Sequence, residues 1–557
     1  MLEYWQRTGD KIAGVTGEWM LQAAVGVRIL TMRCFLVNWR SVRWLMCGCL
    51  LTAAGGGAQA RAAEPLGLFA EHADVGTVLH AGSVTYDAAR RSYTISGSGE
   101  NVWATADAFQ FVWKKMEGDF TLTADISVLG QGGDPHKKAM LMARQSLDAD
   151  SAYADVALHG VGLTSLQARD AKGADTHEIQ SNISAPKRLR LQKYNGEFTM
   201  WLAGEDGQFR MAGGSMRVPM TGAFYVGLGV CAHNKDAVER AEFGNVALGE
   251  VSSEWGAQLY TSLETVDVAS TDRRVTYVKS SKNADIIRAP NWTPDGASLL
   301  FGYGLAIERV PVSGGEPKMV CTGELSVGDD HSISPDGKLL GFSGVEPGFG
   351  SYSAMYIVPI GGGAPRRVTA KSPAFWQDWS PDGKTILFLL TDDQYRFGIY
   401  TMPVAGGTET RLIGGPAASI RGSAGYSPDG NYIYFHSNRS GAAEVWRMRS
   451  DGSHPEQVTR DGAGNWYPHV SPDGRLLAFL TARQQGADGS FLAPIALRVM
   501  TLADGHVRVV AKFTGSNNSM PAPSWSPDSR RLAFMSYQGV GPDTDRPRMF
   551  APKKIVK

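Results

Sequence analysis

The chain is poor in cysteine. Of five cysteines in 557 residues, Cys34, Cys47 and Cys49 crowd near the start, leaving Cys231 and Cys321 for the body. Two cannot build a disulfide framework, so stability must come from burial. Excess charge of one sign is also missing: 55 basic residues balance 55 acidic ones. No Lys/Arg run interleaves with aromatics, which excludes a nucleic-acid groove. No apolar run reaches the roughly 20 residues of a membrane-spanning helix. A serine nucleophile elbow, a zinc-protease helix, a phosphate loop and paired-cysteine metal spacing are all lacking. The segments "GIYTM" and "GSAGYS" have no hydrolase domain around them. These absences lead to the expectation of a binding protein without cofactor.

The start of the chain reads as an address. Arg33, Arg40 and Arg43 precede an apolar run from Trp44 to Ala54, followed by small-residue cleavage sites at Ala58-Gln59-Ala60 or Ala60-Arg61-Ala62. This is the order of a secretory signal over 32–63, with residues 1–31 an upstream extension. The mature protein is then expected to be periplasmic or secreted, and the sequence around Cys49 fits a lipidation box poorly.

The second half repeats. Pro-Asp-Gly occurs at Pro294, Pro335, Pro381, Pro428 and Pro472, and Pro527 opens a Pro-Asp-Ser variant; the spacings are 41, 46, 47, 44 and 55 residues. Pro presets the first turn angle, Asp caps the turn backbone and Gly takes the positive-φ position, so the triplet is a hairpin device. A branched or aromatic residue stands two before each Pro: Trp292, Ile333, Trp379, Tyr426, Val470 and Trp525. Second hairpins such as "AMYIVPIGGGAPRRV" follow. A period near 40 to 50 with strand-like flanks predicts propeller blades. Too few residues follow Pro527 for a whole blade, so the last one is expected to combine inner strands from 521–537 with outer strands from 259–278. These residues resemble the TolB-like six-bladed propeller family over roughly 258–540, with a tail at 541–557. The resemblance implies a fold more than a function, because such propellers serve docking, glycan processing and peptidase gating.

From Leu66 to Leu248 the chain reads as strands and polar turns. "FTLTADISV" alternates with period two, and Asn195-Gly196 is a tight-hairpin signal. Residues 64–250 are expected to form a two-sheet sandwich resembling concanavalin-like jelly rolls, some of which bind sugars. The fold class is thus all-β, a sandwich followed by a propeller, with a short polar join near 249–258 that restricts their relative orientation.

Candidate ligand residues are those near the starts of the innermost strands, at one channel mouth: Asp329, Asp330, His331, Trp376, Gln377, Asp378, Arg421, Asn465, Trp466, Tyr467 and His469. Polar groups beside aromatic faces suit a peptide or sugar; the competing reading is packing between blades. His331, His436 and His469 form an alternative metal set, since the repeat also resembles oligogalacturonate lyases, but His331 and His469 are out of register. "LMARQSLDADSAYADVALHG" gathers Arg144, Asp148, Asp150, Tyr153, Asp155 and His159, with Tyr153 and Asp155 expected on the wet side of a sheet. The functional expectation is an envelope protein or oligosaccharide bound at the channel mouth, with the sandwich face as a second surface; the alternative is a glycan-active lyase or hydrolase using channel His and Asp.

Overall fold

The computed structural model describes residues 66–251, 258–281, 287–320, 325–346, 353–370, 373–394, 396–415, 420–482, 492–516 and 523–540. The signal segment, the upstream extension, Cys321 and the tail lie outside the described residues. Every regular element among the described residues is a β-strand, and none of them is a helix long and apolar enough to cross a membrane.

Two sheets face each other over the first part of the chain. One runs Glu71–Val75, Phe109–Met116, Phe224–Cys231, Lys138–Arg144, Tyr153–His159, Thr164–Arg169, His177–Gln180; the other runs Phe209–Arg217, Glu197–Ala203, Arg188–Tyr194, Phe120–Leu129, Glu239–Gly249, Ser92–Gly97, Ser83–Asp87. Alternation fills the space between them: Leu122, Leu191, Phe198 and Phe243 of one sheet pack with Leu141, Val156, Leu166 and Leu228 of the other. Asn195 and Gly196 both take positive φ in the hairpin between Arg188–Tyr194 and Glu197–Ala203, as their residue types require.

The outer face of the first sheet differs from expectation. Tyr153, Asp155 and His159 are buried rather than wet. Over Tyr153 and Asp155 the cause is a short hairpin, Val102–Trp103 paired with Ala106–Asp107, whose Val102 packs with Tyr153. Lys138 Nζ donates to Val102 O at 2.7 Å and Asn101 Oδ1 at 3.0 Å. Arg169 donates to Ala104 O at 2.9 Å, and Asp107 lies against both Arg144 and Arg169 with all three side chains fully buried. Asp148 and Asp150 remain exposed beside Lys172.

The repeats form antiparallel blades of four strands. Among the described residues five are seen, starting at Ile287–Trp292, Ser326–Ile333, Ala374–Trp379, Ile420–Tyr426 and Asn465–Val470, the third and fourth being joined by one strand pair, Phe397 with Ile420. Six blades were expected, the last closed by strands from both ends of 258–540. The strands assigned to the last, Ser524–Trp525, Arg531–Val540, Gln258–Asp267 and Arg273–Ser281, pair antiparallel in that order. They do not stand alone, because Arg273–Ser281 also pairs in parallel with His177–Gln180, Ile179 opposite Arg273, which carries them into one sheet with the facing-sheet strands. Asn182 Nδ2 donates to Thr276 O at this joint, 3.1 Å away, and a buried Arg273–Glu264 pair lies beside it.

All six triplets use the same turn. A Ser or Thr hydroxyl donates to the Asp two residues on, from Thr293 to Asp295 at 2.5 Å and from Ser334, Ser380, Ser427, Ser471 and Ser526 to their Asp at 2.6 Å. The same oxygen accepts a backbone N–H two residues further, as from Lys338 and Lys384. The sixth turn puts Ser529 at φ 61°, where the other copies have glycine. Its hydroxyl recovers a contact by accepting Asp473 N of the neighbouring turn at 3.0 Å.

These hydroxyl bonds hold the carboxyls of Asp295, Asp336, Asp382, Asp429 and Asp528 below their ordinary range. A carboxyl depressed in the folded state stabilises the fold above its unfolded pKa, about 3.9 for Asp, and that contribution is lost as pH falls through the lower folded value. The melting temperature of the protein should therefore drop on acidification below about pH 4, and Asp382→Asn should make that acid limb shallower. An acid limb that keeps its slope in this variant would show that the turns are not responsible.

Candidate functional site

The innermost strand of each of the five blades loses its register shortly before the turn. Pairing shifts between Arg288 and Asn291, Val327 and His331, Trp376 and Asp378, Ile420 and Ala424, and Trp466 and His469. Ala289, Gly422 and Tyr467 take positive φ in these breaks. Pro290 and Pro468 contribute by lacking the N–H a ladder needs. A bulge re-aims side chains, and here it sets the residues of the sequence-derived cluster at different depths.

Half-buried Gln377, Asp378 and His469 hold the polar positions. Gln377 donates to Trp376 O at 2.6 Å and accepts Ala424 N at 2.8 Å. Asp378 accepts its neighbour Trp379 N at 2.8 Å and Tyr426 N of the next blade at 2.9 Å. Desolvation pushes the Asp378 carboxyl above its usual range, opposed by nearby His469. His469 Nδ1 lies 2.9 Å from Pro523 O; a carbonyl only accepts, so that nitrogen carries the proton and Nε2 is the ring's remaining acceptor in the neutral form.

Other members of the cluster are packed between blades. Trp376 is fully buried: its indole donates to Ser332 Oγ at 2.7 Å and lies over Gly341, where an added Cβ would come within 2.0 Å of the ring. Asn465, also fully buried, donates to Glu444 Oε2 and Asp461 Oδ1 and accepts from Thr481 Oγ1, tying the fifth blade to the fourth. Neither side chain is presented to a ligand in the channel. His331 is buried, with its carbonyl accepting from Asn291 Nδ2 at 3.0 Å. Trp466 and Tyr467 flank His436 of the preceding blade at ring separations of 4.9 and 5.5 Å. Asp330 is half-buried; the side chains of Asp329 and Arg421 lie outside the described residues. Among the described residues no three His, Cys, Asp or Glu side chains stand ready to hold a metal ion, and the set His331, His436 and His469 shares in that. A cavity of about 630 Å³ bounded by Leu68, Met116, Tyr194 and Leu248 contains none of these residues.

Three of the six residues that stand two before a turn Pro, the tryptophans, have a role that sequence reasoning missed. Trp379 Nε1 donates to Ser332 O at 3.2 Å, Trp525 Nε1 to His469 O at 2.8 Å, and Trp292 Nε1 to Ser524 O at 3.1 Å. Each indole thus bonds the innermost strand of a neighbouring unit, and Ser524–Trp525 bridges the fifth blade to the first. The recurring position of these tryptophans was the available signal.

A family model described as the TolB β-propeller domain matches residues 332–493. An uncharacterised protein of Agrobacterium fabrum is 36% identical over 285 residues, which is 51% of this chain and 94% of that protein. The chain belongs to the TolB-like β-propeller family. Within it, the Tol-Pal system protein TolB of Francisella tularensis subsp. tularensis is 23% identical over 247 residues, 43% of this chain and 54% of that relative, so the match spans about half of that TolB. A solved structure assigned as TolB from Agrobacterium tumefaciens has 34% identity and a TM-score of 0.46, covering 51% of this chain and 99% of the other.

Proposed function

We propose that this TolB-like chain is an exported, non-enzymatic binding protein that recognises a cell-envelope protein or oligosaccharide at the mouth of its propeller channel. The observation that carries this reading is the repeated bulge, which interrupts the innermost strands and leaves Gln377, Asp378 and His469 only half-buried. In this reading Ser524–Trp525, Arg531–Val540, Gln258–Asp267 and Arg273–Ser281 act as a sixth blade drawn from both ends of 258–540. Their pairing order and the indole bonds of Trp525 and Trp292 support it. The facing sheets, 64–250, are read as a concanavalin-like sandwich. Export rests on the leader at 32–63 and implies the periplasm or the exterior.

Two variants test the site. Trp466→Ala should lower stability by about 3 kcal/mol, the lower end for a truncated aromatic because Trp466 is only partly buried. His469→Ala loses one hydrogen bond and should cost about 1 kcal/mol, while abolishing capture of the envelope protein or glycan that the parent protein retains. Melting curves and binding isotherms separate the two effects. A parent that retains no envelope protein or glycan, or a His469→Ala variant that binds as the parent does, overturns the reading.

A further inference from the structure

At one end of the facing sheets, away from the propeller residues discussed above, three histidines come together from three separate connections. His136 lies in the loop before Lys138–Arg144, His159 ends Tyr153–His159, and His233 follows Phe224–Cys231. The ring of His136 is 5.9 Å from that of His159 and 5.5 Å from that of His233. Two imidazoles sharing a tetrahedral zinc at about 2.0 to 2.1 Å per bond have ring centres roughly 5 Å apart. Asp134 joins the group, with Oδ1 3.2 Å from His233 Nδ1.

The loops that carry these rings are fastened to one another. Gly160 N donates to Lys137 O at 2.9 Å and Val161 N to Pro135 O at 3.1 Å, so the His136 loop and the His159 turn form one platform. His233 sits at φ 54°, a conformation that costs a non-glycine residue free energy and is found disproportionately at functional positions. A second, independent observation comes from His159. Its side chain is 4% exposed, and Nδ1 is buried without a hydrogen-bond partner. Its Nε2 lies 3.4 Å from both Ser165 Oγ and the Gln167 amide nitrogen, which leaves Nδ1 as the ring nitrogen that packing alone gives no use.

We propose that His136, His159 and His233, with Asp134 as the fourth donor, form a binding site for a zinc-class divalent cation. Imidazole and carboxylate donors suit zinc, and Ser165 would orient the His159 ring from behind, as outer-shell groups do for ligating histidines. The donors do not yet converge, since among the described residues no trio is set for a metal. The adjustment falls on exposed His136, whose loop begins with Gly130, Gly132 and Gly133, and on half-buried His233. Lys138, whose Nζ lies 3.2 Å from Gln167 Oε1, opposes a cation here, and Asp134 beside His233 offsets it.

The test is titration of the full chain, free of any affinity tag, with zinc alone and with cobalt(II). One equivalent of zinc should bind, cobalt should show the visible absorption of a four-coordinate site, and His136→Ala, on an exposed loop, should weaken zinc binding about tenfold or more, at least the loss typical of an outer-shell partner, without shifting the metal-free melting curve. His233→Ala should do the same. No saturable zinc binding, or zinc binding unchanged in both variants, would mean that the histidines only pack together.

Discussion

Deleting residues 521–557 is expected to abolish the cooperative melting transition of the propeller rather than to trim it. Arg531–Val540 pairs with Gln258–Asp267 over ten residues, so the deletion exposes a long strand edge. It also strips apolar groups from two cores. Trp525, Leu532 and Phe534 pack with the fifth blade, while Met535 and Tyr537 pack with Trp292 and Phe301 of the first. Loss of a single such side chain typically costs about 2 to 5 kcal/mol, and several together exceed the roughly 5 to 15 kcal/mol by which a domain is stable. Calorimetry of the truncated chain reads the result, and a truncated protein that keeps the full transition would show that the five blades hold together without these strands.

Asp107→Ala should be the most damaging single substitution among the facing sheets. The carboxylate lies 2.8 Å from Arg169 Nη2 and 3.3 Å from Arg144 Nη2, with all three side chains at 0% exposure. Removing one partner of a buried ion pair leaves uncompensated charge and typically costs about 3 to 5 kcal/mol; here two guanidiniums would be left. The same carboxylate anchors the hairpin that covers Tyr153 and Asp155, so this face should open together with the loss of stability. Chemical denaturation measures the first effect and hydrogen exchange at Tyr153–His159 the second. A variant that melts like the parent with those amides still protected would refute the anchoring role.

What was legible in the sequence was local. The turn triplets could be read because Pro, Asp and Gly act through their own backbone angles and hydrogen bonds within a few residues, and even the Pro-Asp-Ser variant keeps the geometry. The strand alternation of Phe120–Leu129 and the Asn195-Gly196 hairpin could be read for the same reason. The candidate site was legible only as a neighbourhood. Trp376 and Asn465 carry the residue types of a binding site, but Gly341 makes room for one and Glu444 partners the other, and neither partner lies in the same repeat. Asp107 drew no notice because its partners stand 37 and 62 residues away in sequence.

By itself, then, the sequence determined an all-β chain with propeller blades, because period-two alternation and turn chemistry are properties of short segments. The tertiary structure alone decided which polar faces are covered, how deep each channel residue lies, and that Arg273–Ser281 joins His177–Gln180. Burial of a face depends on which distant segment crosses it. Pairing of two strand edges is made by backbone N–H and C=O groups that every non-proline residue carries, so the sequence holds no mark of the partner an edge will choose.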